Sequence, residues 1–124
     1  MEPYFGNVEK ETLENTNYRK VLHTGEKAQI VVMSLKVGED IPEEVHQTID
    51  QFIRVEKGSA KVIIDGKEFD LGDGDAVIVP AGAKHYVKNT SESEDLKLYT
   101  IYSPPEHAPG TVHETFEDAA NAEH

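Results

Sequence analysis

Glu44-Val45-His46, Gln51 five positions on, and His85 in a separate run are the residues of this chain best suited to chemistry. Residues two apart on a strand point to the same face, so Glu44 and His46 can converge on one point. Two imidazoles and a carboxylate are enough to hold Fe(II), Mn(II), Ni(II) or Zn(II). Gln51 would add an amide oxygen, either as a weak ligand or as a hydrogen-bond partner of a metal-bound water. Glu44 has a second possible role as a general base. The plainer alternatives are histidines serving as core or surface residues and Glu43-Glu44 forming a solvated turn.

For these side chains to meet, short strands must bring them together. Gly38 and Gly58 bracket the Glu44, His46 and Gln51 run, and Gly74, Pro80, Gly82 and Asn89 frame His85. The apolar run Ala76-Val77-Ile78-Val79 leads into a proline-glycine corner, and His85 opens the next strand. From Tyr18 to Ser103 the chain reads as short strands separated by turn signals, the pattern of a sandwich or barrel. The predicted strands are Arg19–Thr24, Gln29–Val37, Glu43–His46, Gln51–Lys57, Ala60–Ile64, Lys67–Leu71, Ala76–Val79, His85–Asn89 and Leu96–Tyr102. Met33, Leu35 and Val37 alternate with Ser34 and Lys36, which predicts one core face and one face near solvent. Asp65-Gly66 is a tight hairpin signal. Residues 1–15 are expected to form an edge strand or an arm, and only Glu114–Ala122 looks helical. With no long amphipathic helix between strands, βαβ folds and their phosphate-binding loops are excluded.

The two glycine-bounded runs resemble the paired motifs of the cupins, double-stranded β-helix or jelly-roll barrels of the RmlC-like type. The second motif, Gly, Pro-x-Gly, His, Asn, is complete as Gly74, Pro80, Gly82, His85 and Asn89. The first keeps its spacing as Gly38, Glu44, His46, Gln51 and Gly58, with altered ligands. Glu44 stands where the family usually has its first His, and Gln51 where it has its Glu. The resemblance spans residues 29–102 and extends to small single-domain, mannose-6-phosphate-isomerase-like cupins. It implies an all-β jelly-roll barrel with a divalent metal ion at its mouth, held by Glu44, His46, Gln51 and His85. It also implies a small-molecule ligand and a homodimer, since cupins commonly associate through arms and sheet edges. Three functions stay open: a metal-dependent isomerase or dioxygenase, a barrel that binds a small ligand without turnover, and a structural dimer with a vestigial pocket. Fold alone does not choose among them.

Length and composition agree with one domain over residues 1–124: a barrel, an N-terminal arm over 1–17, and a proline-rich tail with a short helix over 103–124. No cysteine is present, which excludes disulfides, thiolate nucleophiles and sulfur-ligated metals. The formal net charge of −12 opposes nucleic acid and anionic membranes as partners. The N-terminus has no signal-peptide pattern and no apolar run is long enough to span a bilayer, so a cytoplasmic protein is expected. His107 and His113 flank a proline-rich stretch, expected either to pack along the barrel or a second subunit, or to approach the site. One of Tyr86, Tyr99 and Tyr102 could line the pocket.

Overall fold

Short runs rich in Val, Ile and Tyr become strands because branched and aromatic side chains suit a pleated, half-buried surface. In the computed structural model, which describes residues 2–122, the elements are α1 (Val8–Glu14), β1 (Arg19–Thr24), β2 (Gln29–Leu35), β3 (Asp40–Val45), β4 (Asp50–Lys57), β5 (Ala60–Ile64), β6 (Lys67–Leu71), β7 (Ala76–Val79), β8 (Lys84–Asn89), β9 (Leu96–Ser103), β10 (Val112–His113) and α2 (Phe116–Ala122). They form two antiparallel sheets. One is six-stranded in the order β10-β1-β2-β9-β4-β7; the other is four-stranded in the order β3-β8-β5-β6. The all-β jelly-roll expectation therefore holds, and so does the short C-terminal helix.

The inward faces of the two sheets form the core. Leu96, Leu98, Thr100 and Tyr102 of β9 are buried, while the residues between them are half-buried. They meet Val31, Met33, Leu35, Ile53, Val55, Val62 and Val87. The hairpin joining β5 and β6 turns at Asp65 and Gly66, both left-handed at φ 48° and 83°. Asn89 donates to the carbonyls of Leu35 and Glu94 at 3.0 and 2.9 Å, which orders the end of β8.

Two expectations need correction. Residues 8–14 are helical instead of forming an arm or edge strand. Asn7 caps α1, accepting from the Lys10 N–H at 3.0 Å, and Glu9 and Glu11 favour the positive end of the helix. A helix this short has too little periodicity to register in sequence. It packs against β2 and β4, its Thr12 fully buried, and the outward residues Val32 and Ser34 of β2 are buried as well. The expected alternation in β2 is thus hidden by a layer over its outer face. Val37, expected inside, is 48% exposed because β2 ends at Leu35. Among the described residues no helix is long and apolar enough to cross a membrane.

Ile53 is fully buried on β4, between β7 and β9. Ile53→Ala should cost about 2–5 kcal/mol by leaving a cavity that the sheets cannot close, read as a lowered urea midpoint at unchanged slope.

Candidate metal centre

Glu44 is near the end of β3 and His85 is its register partner on β8, so antiparallel pairing alone sets these two side by side. His46 follows one residue after β3 ends. Its backbone carbonyl accepts from the N–H of Gly82 at 2.8 Å, which ties the first glycine-bounded run to the corner of the second. Gly82 is left-handed, with φ 87°, so the corner needs a residue without a β-carbon. Asp50 accepts from the Ala81 N–H, and Asp65 from the Lys84 N–H, both at 2.9 Å. The residues preceding His85 are held on two sides.

One donor atom each from Glu44, His46 and His85 can be chosen so that all lie within 4.8 Å of one another. The two imidazole centroids are 5.3 Å apart. Nε2 of His46 and Nε2 of His85 are both buried and have no hydrogen-bond partner. A buried polar atom without a partner is costly. Two of them facing a carboxylate fit a cation, which would accept both lone pairs and offset the carboxylate charge. The remaining ring nitrogens make these lone pairs available. Nδ1 of His46 lies 2.7 Å from Glu106 Oε2, and Nδ1 of His85 makes a longer 3.4 Å contact with the Ala83 carbonyl. Both partners are acceptors, so each Nδ1 carries the proton. His85 is held below the usual histidine pKa, first by burial and further by His46, against the opposing bond to Ala83. Burial thus favours its neutral form.

Gln51 is on β4, 2% exposed, opposite Val79 and Tyr102. Its Nε2 donates to Thr100 Oγ1 at 3.0 Å, and its Oε1 is buried with no partner. The amide thus keeps its oxygen, the atom a metal or its water would need, uncommitted. Of the three tyrosines, Tyr102 is the one beside this cluster: its ring stands edge-on to His46 at 6.0 Å. Burial holds its hydroxyl far above the ordinary tyrosine pKa. The Tyr86 hydroxyl instead donates to Asp40 at 2.7 Å, and Tyr99 faces Phe52 at 6.0 Å.

The sequence reading missed Glu106 and left the tail's course open. The tail returns over the mouth: Glu106 meets His46, and His107 packs edge-on against Tyr102 at 5.2 Å before β10 pairs with β1. No spacing rule foretells this, because Glu106 is sixty positions from His46 and outside both glycine-bounded runs.

A barrel of two antiparallel sheets with a histidine-carboxylate cluster at the meeting of β3 and β8 defines a class. The Cupin domain profile matches residues 31–102, and the chain belongs to the cupin family. It is 44% identical over 128 residues to the YrkC protein of Bacillus subtilis, an alignment covering 98% of this chain and 68% of that one. It superposes on the crystal structure of BH2720 from Bacillus halodurans with a TM-score of 0.94 at 42% identity, covering 97% of this chain and 95% of the other. A more distant similarity, 32% over 78 residues, is to the quercetin 2,3-dioxygenase of Bacillus subtilis; it covers 63% of this chain and 23% of that enzyme.

His107 carries a pH prediction. Burial first, then Arg19, His113 and His46, push its pKa down from 6.5 to about 4. Below pH 6.5 the unfolded chain takes up a proton that the folded chain refuses until about pH 4. Stability should therefore fall as pH drops through that window. Urea midpoints of His107→Gln should fall less steeply across the same range than those of the parent.

Proposed function

We propose that this cupin is a metal-dependent enzyme acting on a small oxygen-rich molecule at its barrel mouth, with Glu44, His46 and His85 holding the ion. The observation that carries this reading is the pair of buried, unpartnered Nε2 atoms beside the Glu44 carboxylate. A divalent ion there would supply Lewis acidity toward a substrate carbonyl or enol and, as iron, the capacity for chemistry with dioxygen. Gln51 would serve through its free amide oxygen, as a fourth ligand or as a partner for water. Tyr102, kept protonated by burial, can donate a hydrogen bond to a bound oxygen. Glu44 can also take up a substrate proton, in keeping with its candidacy as a base.

Between the two reaction types, the similarity to quercetin 2,3-dioxygenase supports oxygenation of an enol or diketone. The formal net charge of −12 suits a phosphorylated sugar poorly, which weighs against a mannose-6-phosphate-like isomerisation.

Untagged protein should take up one of Fe, Mn, Ni or Zn, measured by elemental analysis after reconstitution. His46→Ala and His85→Ala should each abolish that uptake, and Gln51→Ala should weaken it by about tenfold. Oxygen consumption on a panel of flavonols and diketones should accompany the iron form. A parent protein that takes up no metal under any reconstitution would sink the proposal and leave a ligand-binding barrel.

We also infer a homodimer. Ile30, Ile101, Phe52 and Ile78 are register neighbours across β2, β9, β4 and β7 and point away from the core, Ile78 being 64% exposed. Phe5, 99% exposed, stands out from the N-terminal segment. A second copy of the chain would cover this apolar row. Light scattering should give twice 13.8 kDa; a mass near 13.8 kDa would rule the dimer out.

A further inference from the structure

Glu106 belongs to neither glycine-bounded run and lies beyond the residues matched by the family profile, 31–102. Its Oε2 is nevertheless 2.7 Å from His46 Nδ1. An ionised carboxylate can only accept, so the proton of that bond is on Nδ1. The opposite ring nitrogen, Nε2, is buried without a hydrogen-bond partner and lies 3.5 Å from Glu44 Oε2. With Nδ1 engaged by Glu106, Nε2 is the His46 nitrogen that faces the cluster.

The tail that carries Glu106 is held by one buried side chain from the opposite end of the sequence. Gln29, 1% exposed, opens β2. Its Oε1 accepts from the backbone N–H groups of Glu106 and His107 at 3.2 and 2.9 Å. Its Nε2 donates to the His107 carbonyl at 2.7 Å and to Thr24 Oγ1 at 2.8 Å. Both ends of the amide are committed, and three of the four bonds go to tail backbone. Gln29 thus senses where the tail lies and not which side chains it bears. Edge-on packing of His107 against Tyr102 at 5.2 Å secures the same segment from the core side.

We propose that Glu106 is a positioning residue: delivered over the barrel mouth by the tail that Gln29 clamps, it fixes the Nδ1–H tautomer of His46 and turns Nε2 toward Glu44 and His85. This rests on the metal-site reading for its purpose, although the tautomer itself is a property of the metal-free protein. A carboxylate behind a ligating imidazole orients the ring and raises its basicity. The Ala83 carbonyl, at 3.4 Å from Nδ1 of His85, is a weaker neutral counterpart on the other histidine. His46 is thus the better anchored of the two.

The test uses full-length protein with nitrogen-15-labelled histidine, first without metal and then in a zinc titration against a competing chelator. The parent should show His46 protonated on Nδ1. Glu106→Ala should move the proton toward Nε2 and weaken zinc binding by about 10–100-fold. Glu106→Gln should keep the tautomer, because its amide oxygen still accepts, and should lose less affinity. Gln29→Leu should shift the tautomer and the affinity in the direction of Glu106→Ala, although it touches no atom of His46. Should Glu106→Ala fail to fold, Glu106→Leu gives the same readout with the side-chain volume retained. An unchanged His46 tautomer and unchanged zinc affinity in Glu106→Ala or Glu106→Leu would overturn the proposal. If the parent binds no zinc, the metal reading falls by itself, and the tautomer measurement still decides what Glu106 does.

Discussion

The bond from the Gly82 N–H to the His46 carbonyl joins the two halves of the barrel mouth, and the site depends on it. It closes the loop after β3 onto the corner before β8 at the edge where Glu44 and His85 are register partners. The left-handed φ of Gly82, 87°, is a conformation that glycine adopts without strain, and it sets the turn of the corner. Asp50 and Asp65 then hold the flanking N–H groups of Ala81 and Lys84, so the corner is fixed by main-chain contacts on several sides. Side chains mounted on such a frame lose little further entropy when they bind, which is how a small barrel can keep a preorganised cluster.

Within that frame burial favours a neutral His85 facing the Glu44 carboxylate. Burial disfavours charge on His85, and His46 disfavours it further. Glu106 engages the far side of His46, leaving Nε2 for the cluster. Tyr102, deep under the mouth, keeps its proton because burial opposes the phenolate. The outcome is a set of lone pairs and one O–H donor in a place largely shielded from water, where such groups act more strongly than at the surface. Leaving His46 Nε2 and His85 Nε2 buried without a hydrogen-bond partner is a destabilising feature that a cation between them would relieve.

The fold was legible because its signals are local. The Asp65-Gly66 turn and the proline-glycine corner each act over a few residues, and the observed strands follow the predicted ones closely. The Glu44 and His46 pairing followed from strand period, and the place of His85 from the completeness of its run. What escaped was set by packing. Helix α1 is seven residues long, and its existence rests on Asn7 as cap and on Thr12 buried against the sheet. The burial of Ser34 reflects the N-terminal layer over β2, which strand periodicity cannot see.

Turn chemistry, strand period and the spacing of Gly, Pro, His and Asn were enough to specify a jelly-roll barrel and to nominate Glu44, His46, Gln51 and His85. These properties live in residues close together along the chain, where steric preference and side-chain alternation act directly. Which nitrogen of His46 faces the cluster, which tyrosine lies beside it and where the tail runs depended on the folded chain. Gln29, Tyr102 and Glu106 are far apart in sequence and meet only because β2 and β9 pair and the tail folds back across them. Hydrogen bonds of that kind form between groups that no local pattern couples, so their consequences for the site become visible only once the sheets have closed.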